Sequence, residues 1–451
     1  MLQHGIYIDD DLKIWRADGI RSSLNEFGDE YTQISGPIDT FLSFISEDAK
    51  SLRADGSGSY GVQSPDNKGT DEIPRMNDCD TLDEAIRAMH DNLDKVSPRD
   101  LFAFWTVVPK FPNYERVGKL TPQLQAIFNK TADQIGNYGP RDLEQITLAF
   151  AKIVKSIKEE TEGRNVRWSR YHEFLHNTFI VKGDIIFQFI ANTARPMLYQ
   201  FEPRFLSNLA YAYDIIDYVP KFDDGSTLFH HIAEESIAMM GNFEPRNLVR
   251  IVLAFKKVKV SHPELFEKVG DHITSLDYLN KFKPKTFSNI LATFARAEVS
   301  HPQMFVKVGN HIVNLPHLNN FTPNTLVYIV WAFAKAQVSH PRLMDKVADH
   351  IVSLDNLDKF APHALSNIVY AFAIAGVSHP RLMKKVADHI VSLDNLDGFS
   401  AHNILDLVWG FSELDVHNAK LYVKLTDVAV ESERRDDFSN QDIENLLRWT
   451  E

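Results

Sequence analysis

Residues 360–393 have the sequence FAPHALSNIVYAFAIAGVSHPRLMKKVADHIVSL, which contains two amphipathic segments in succession. In the first segment, apolar residues recur at steps of three and four from Leu365 to Phe372, the spacing of one helix face. In the second segment, a matching stripe runs from Leu382 to Ile390. The stretch therefore predicts a hairpin of two antiparallel helices.

This unit repeats every 39 residues. Its initial phenylalanine recurs at Phe243, Phe282, Phe321, Phe360 and Phe399, and more weakly at Phe438. A Ser-His-Pro triplet keeps the same step from Ser261 to Ser378. Because one helix pair of this length cannot bury its apolar face alone, successive pairs must stack. The predicted fold is all-α, an α-solenoid of stacked antiparallel helix pairs with a 39-residue repeat.

Four segments are predicted along the chain. Residues 1–80 form an acidic, largely disordered segment; 81–242 hold degenerate helical repeats with an insertion near 155–173; 243–437 hold the regular hairpin repeats; 438–451 form an incomplete terminal repeat. This organisation amounts to seven helix pairs from about Thr81. The incomplete repeat has an apolar stripe with no second helix to cover it, which predicts either a truncated chain or a helix that docks on a partner.

Composition excludes several classes of protein. The single cysteine, Cys79, excludes an intramolecular disulfide and a cysteine-based zinc site. No apolar run approaches the roughly 20 residues of a membrane span, so no membrane partner is expected. The net charge of −13 is unevenly distributed: residues 1–80 hold 7 Lys+Arg against 16 Asp+Glu, whereas residues 243–399 hold 18 against 13. The regular repeats are therefore locally basic and compatible with a polyanionic partner.

Two common catalytic signatures, a phosphate-binding glycine loop and a Gly-x-Ser-x-Gly motif, are missing from the sequence. We therefore expect no enzymatic activity, no cofactor and no metal. In each regular unit two histidines stand ten residues apart, as at His340 and His350, and we expect the first to cap a helix and the second to join a surface row. A lysine recurs on the second helix, from Lys268 to Lys424, as a candidate contact to a nucleic-acid backbone.

The positions that vary between units lie on one face of the first helix. Counted from the landmark phenylalanine as one, these are positions four, eight, eleven and fifteen, opposite the apolar stripe. Cationic, amide and aromatic side chains interleaved in this way suit single-stranded RNA. The candidate RNA-binding residues are Arg246, Arg250, Lys257, Lys285, Asn289, Arg296, Tyr328, Trp331, Lys335, Asn367 and Tyr370. The open alternative is a solvated face whose aromatic residues pack against the next repeat.

The motif Phe-x-Pro-x-x-Leu-Ser-Asn-Ile-Val-Tyr-Ala-Phe-Ala, followed by Gly-Val-Ser-His-Pro, resembles the octotricopeptide repeat of organellar RNA-binding proteins. It is also similar to the helical repeats of FAST-kinase-like and RNA-editing substrate-binding complex proteins. The resemblance is good over residues 243–411 and weaker back to about Val96. It implies an RNA-binding α-solenoid in a mitochondrion or chloroplast that acts in transcript stability, processing, editing or translation. A C-terminal RAP domain, frequent in such proteins, is not seen.

Two features depart from that pattern. Asp9, Asp10 and Asp11 near the start are the opposite of an arginine-rich transit peptide, and the overall composition is acidic. We expect a non-catalytic protein that binds single-stranded RNA, with ribonucleoprotein-complex partners and no DNA. The alternative is an armadillo- or HEAT-like scaffold that binds a partner peptide, and a third interpretation is a non-catalytic subunit of an editing or ribosome-assembly complex.

Overall fold

Residues at the helix ends explain where the two helices of a regular unit begin and end. The first helix of one such unit starts at Pro362, where a proline is tolerated because the first helical N–H has no partner in any case. It ends before Gly376, whose φ of +62° is a left-handed conformation that glycine adopts without strain. The next helix is capped by His379, whose Nδ1 accepts a hydrogen bond from the Leu382 N–H at 3.2 Å. The predicted capping role of the first histidine is thus confirmed, and equivalent bonds are made by His262, His301 and His340.

A computed structural model describes residues 6–8, 14–16, 76–111, 120–161, 174–430 and 434–450. The first helices of the units are α2 (Pro98–Val107), α4 (Pro140–Thr161), α6 (Pro203–Ile216), α8 (Pro245–Lys257), α10 (Pro284–Arg296), α12 (Pro323–Lys335), α14 (Pro362–Ile374), α16 (Ala401–Glu413) and α18 (Asn440–Thr450). The second helices are α3 (Thr121–Ile135), α5 (Gly183–Ala194), α7 (Leu228–Ala238), α9 (Pro263–Ser275), α11 (Pro302–Asn314), α13 (Pro341–Ser353), α15 (Pro380–Ser392) and α17 (Ala419–Val430).

Shorter elements complete the described residues. Helix α1 (Leu82–Asp91) precedes the first pair and packs on α3. Short 3₁₀ helices lie at Met76–Asp78, Val108–Lys110, Arg195–Gln200, Met240–Asn242 and Arg435–Asp437, and a π-helical turn lies at Asn177–Val181. Near the start, strands β1 (Ile6–Ile8) and β2 (Ile14–Arg16) pair antiparallel with Tyr7 opposite Trp15.

The helices form two layers. Each first helix packs against the first helix of the next unit, and each second helix of the regular units packs against the next second helix. This regular stacking confirms the predicted all-α solenoid, and the extended pairing in the described residues is limited to the small β1–β2 hairpin and an isolated bridge between Lys221 and Thr227. No helix in the described ranges has the length and apolar character needed to cross a bilayer.

The core is continuous along the array because the landmark aromatic residues and both apolar stripes point between the layers. All six landmark phenylalanines, from Phe243 to Phe438, are buried. On α18, Leu446 is buried but Leu447 is 56% exposed, whereas the equivalent Val408 is fully buried. The apolar stripe of α18 is therefore open to solvent at Leu447.

The predicted count of helix pairs is wrong. Eight pairs lie within the described residues, preceded by α1 and followed by α18. Part of the predicted insertion extends α4, which has 22 residues where the regular first helices have 13; residues 162–173 lie outside the described residues. Most of the predicted disordered segment at 1–80 lies outside them too, although Met76 and Cys79 belong to the core.

Candidate nucleic-acid interface

The variable positions form one accessible surface along α8, α10, α12, α14 and α16, which we call the first-helix surface. Positions four and fifteen are exposed in all five helices, and position eight is half-buried in four of them. Position eleven is half-buried where it carries an aromatic residue, at Trp331, Tyr370 and Trp409. The structure therefore places all eleven candidate residues on the same side of the array.

Three of the candidate cations extend into solvent. Arg246, Lys285 and Lys335 are exposed, one on each of α8, α10 and α12. The only described ion pair among them joins Lys335 Nζ to a Glu298 carboxylate oxygen at 4.0 Å, and both side chains are largely exposed. Such a pair contributes little to stability because water and salt screen the attraction between its charges. The charges of Arg246, Lys285 and Lys335 are therefore available to a polyanion.

Arg250, in contrast, is held by the protein. The Asn208 amide donates to a Glu144 carboxylate oxygen at 2.6 Å and accepts a hydrogen bond from the Arg250 guanidinium. That guanidinium also lies over the Tyr211 ring, with 4.9 Å between its central carbon and the ring centre. Burial raises the pKa of Glu144, and the Asn208 hydrogen bond offsets part of this rise. This chain of contacts ties α4, α6 and α8 together, so Arg250 has a structural role.

Lys257 is also paired. Its Nζ lies 3.1 Å from an oxygen of Asp214, a carboxylate that is almost completely buried. Burial raises the pKa of Asp214, while the hydrogen bond from Lys257 lowers it. Since a buried carboxylate without a partner is costly, Lys257 satisfies Asp214 first. The sequence analysis did not identify Glu144, Tyr211 and Asp214 as partners of these cations, because they lie in the degenerate repeats, where the landmark residues are weak.

Arg296 and two aromatic residues come together across neighbouring units. The guanidinium of Arg296, from α10, lies 5.3 Å from the ring centre of Tyr328 and 5.0 Å from that of Trp331, both on α12. Cation–π contacts of this kind hold the rings and the guanidinium in defined orientations. The result is a group of three planar side chains on the first-helix surface.

A second aromatic pair lies further along the array. The rings of Tyr370 on α14 and Trp409 on α16 have centres 5.2 Å apart and planes inclined by 53°. The two helices approach closely because Gly410 lacks a side chain: a Cβ there would lie 2.8 Å from Cγ1 of Val369. The alternative expectation, that aromatic residues pack against the next repeat, therefore holds for this pair, and both rings stay half-buried.

Two amides of the set remain without partners. Asn289 and Asn367 are half-buried at position eight of α10 and α14. Neither side-chain amide makes a hydrogen bond within the described residues, so both are available to a ligand.

The repeated lysines of the second helices do not lie free for a nucleic acid. Lys346 Nζ donates to the carbonyl oxygen of Val313 at 2.7 Å and to that of Leu315. These carbonyls end helix α11 of the preceding unit, where unpaired oxygens and the helix dipole favour a cation. The same pair of bonds is made by Lys307, Lys385 and Lys424. The expectation that these lysines contact a nucleic-acid backbone is wrong for these four.

The second histidine of each unit lies half-buried on the second-helix side, and His311 packs against Phe287 with 5.3 Å between ring centres. Burial lowers the pKa of His272, His311 and His350. Within the described ranges no three His, Cys, Asp or Glu residues are placed to share a metal ion.

Residues 277–448 match the profile of a family described as RNA-editing substrate-binding complex 6 protein. The matched range contains α10 to α17 and nearly all of α18, and so includes Arg296, both aromatic groups and the unpaired amides. The match supports a relationship with helical-repeat proteins of an RNA-editing complex. A comparison with curated protein sequences finds no match.

Proposed function

We propose that the protein is a non-catalytic subunit of an organellar RNA-editing complex that binds single-stranded RNA on its first-helix surface. The observation that carries the proposal is the placement of exposed cations, planar side chains and unpaired amides on one continuous face. Phosphates, bases and base edges of unpaired RNA require these three kinds of group. The family match adds support, because its description names the substrate-binding complex of RNA editing.

We expect RNA contacts from only part of the candidate set, because some of the candidate cations are already bonded within the protein. Exposed cations at Arg246, Lys285 and Lys335 provide the phosphate contacts, and the two aromatic groups provide stacking. Arg250 and Lys257 instead hold neighbouring units together, through Asn208 and through the buried carboxylate of Asp214 respectively. Organellar location is part of the proposal because RNA editing complexes of this kind act in mitochondria.

The test compares two triple variants that lose the same charge. In the first, Arg246→Gln, Lys285→Gln and Lys335→Gln remove cations from the first-helix surface. In the control, Arg342→Gln, Arg381→Gln and Lys384→Gln remove exposed cations from the second helices. Binding of the full chain to a fluorescent 25-nucleotide single-stranded RNA is measured by anisotropy from about 50 to 200 mM salt, where phosphate contacts dominate the salt dependence.

We expect the first variant to bind more weakly, with the slope of log K against log salt reduced in magnitude by about 2, since each phosphate contact contributes about 0.7. The control should keep the affinity of the native protein. Equal losses in both variants would show that the first-helix surface is not the binding face. If the native chain fails to bind RNA even at 50 mM salt, the proposal is wrong, and the peptide-binding scaffold becomes the better interpretation.

A further inference from the structure

The first-helix surface contains one buried carboxylate, at a position where the other regular units carry no acid. Position eight carries Arg250, Asn289, Tyr328 and Asn367 in four regular units, but Asp406 in the fifth. Asp406 is only 9% exposed. An acidic side chain repels a phosphate backbone, so its presence here must serve a purpose other than phosphate binding.

The carboxylate is poorly satisfied by the protein. Its polar partner among the described residues is His402, whose Nε2 lies 3.4 Å from Oδ2. The His402 side chain is 81% exposed, so solvent or a ligand can displace it easily. Burial raises the pKa of Asp406, and His402 lowers it in part. A buried carboxylate with a single weak partner has unused acceptor capacity.

Asp406 adjoins the second aromatic pair. Trp409 follows it by three residues on α16, so the two side chains share one helix face, and Trp409 contacts Tyr370 on α14. The negative charge of Asp406 is close enough to raise the pKa of the Tyr370 hydroxyl, after the larger effect of burial. An aromatic surface on which a base can stack thus lies directly beside a carboxylate that can accept hydrogen bonds.

Of the four RNA bases, guanine suits this arrangement best. Its Watson–Crick edge presents two adjacent donors, N1–H and the N2 amino group, which match the two oxygens of one carboxylate. Adenine and cytosine offer only an exocyclic amino group beside an acceptor nitrogen, and uracil offers one N–H between two carbonyl oxygens. Two parallel hydrogen bonds to an ionised acceptor are stronger and more selective than one.

We propose that Asp406, Tyr370 and Trp409 form a binding site for one unpaired guanine, with the base stacked on the aromatic pair and its N1–H and N2–H donating to the Asp406 carboxylate. The inference rests on the proposed RNA-binding function and adds base selectivity to it. Asn367, one turn before Tyr370 on the same face of α14, supplies a further unpaired amide beside the site.

The experiment uses the full chain and labelled 12-nucleotide RNAs made of uridine, with the central nucleotide either unchanged or replaced by G, A or C. Anisotropy titrations give the four dissociation constants at one salt concentration. We expect the G-containing RNA to bind about fivefold more tightly or better than the other three, the lower end of the discrimination from one bidentate base contact. Asp406→Asn, which keeps the shape of the side chain, should reduce this preference to less than twofold, and any change in affinity that comes from the lost negative charge should be equal for all four RNAs.

Glu413→Gln is the matched control, because Glu413 is an exposed acid on the same face of the same helix. It should retain the full preference for G. If the native chain binds all four RNAs equally, or if Asp406→Asn keeps the preference, the guanine site is refuted while the RNA-binding function stands. If no RNA binds at low salt, the proposed function fails first, and this inference fails with it.

Discussion

Replacement of Lys346 by methionine tests whether the repeated lysine of the second helices is structural. Methionine keeps much of the apolar stem and removes the charged group that donates to the Val313 and Leu315 carbonyls. A hydrogen bond to a charged group contributes about 1.5–3 kcal/mol, and the favourable position at a helix C-terminus adds about 0.3–1 kcal/mol. Because Lys346 is only half-buried, solvent screening reduces this total, and we expect a loss of about 2 kcal/mol.

The assay combines urea denaturation with hydrogen exchange. Stacked repeats do not always unfold in one step, so exchange locates the effect, and the amides of the last turn of α11 should exchange faster in Lys346→Met. The control is Lys384→Met, since Lys384 is exposed and makes a surface pair with Asp388 at 2.9 Å, a type of contact that contributes about 0.5 kcal/mol or less.

RNA affinity provides the second measurement for this pair of variants. The structural role predicts that Lys346→Met binds single-stranded RNA as tightly as the native chain once both are folded. If Lys346→Met destabilises the protein no more than Lys384→Met, the capping argument is refuted. If it weakens RNA binding and lowers the salt dependence, Lys346 contacts the RNA backbone.

Three other variants follow from the fold. His340→Asn should reduce the fall in melting temperature between pH 7.5 and 5.5. Burial lowers the pKa of His340, so the stabilising contribution of this residue is complete above the ordinary pKa of about 6.5 and is lost as the pH falls through the lowered pKa. Asparagine caps a helix equally well without titrating, as Asn418 does in the eighth pair, and an unchanged fall in melting temperature would contradict this reasoning. Gln337→Gly should raise the free energy of unfolding in urea by about 1 kcal/mol, because Gln337 has a φ of +55° that glycine adopts without steric strain; a lower denaturation midpoint would refute the strain. Gly270→Val should lower the free energy of unfolding by about 2 kcal/mol through overpacking, since even a Cβ at Gly270 would overlap the His301 ring. If calorimetry finds the stability of the native protein in this variant, the ring moves aside freely and the argument is wrong.

Much of the architecture follows from the 39-residue period. The phase of Phe360 and the Ser-His-Pro triplet predicts which residues are buried, where each helix begins and that His379 caps the second one, because these features depend on contacts within one unit. The same phase places the candidate residues of the first-helix surface on one side. The count of seven pairs predicted from the sequence is one too few, although the weak landmarks lie directly before the first helices of the degenerate units.

The 39-residue period does not predict the contacts between neighbouring units. Lys346 occupies what looks like a solvent-facing helical position, yet it reaches carbonyls 31 and 33 residues earlier in the chain. Arg250 matches the candidate cations in spacing, yet it is held by Asn208 and Tyr211 from the preceding unit. In both cases the sequence predicts the helix face on which the cation lies, but it does not predict the distance from the cation to the neighbouring unit.

The chain's own residue order thus establishes a helical repeat, its period, its buried stripes and the face on which variable side chains lie, because amphipathic spacing and helix caps act over a few residues. The stacking of neighbouring units determines which of those side chains have a partner within the protein. Arg246, Lys285 and Lys335 have no buried partner. Arg250 bonds Asn208, Lys257 pairs with the buried Asp214 and the repeated lysines of the second helices bond helix ends, because a long cationic side chain binds whichever acceptor the adjacent repeat brings within about 3 Å.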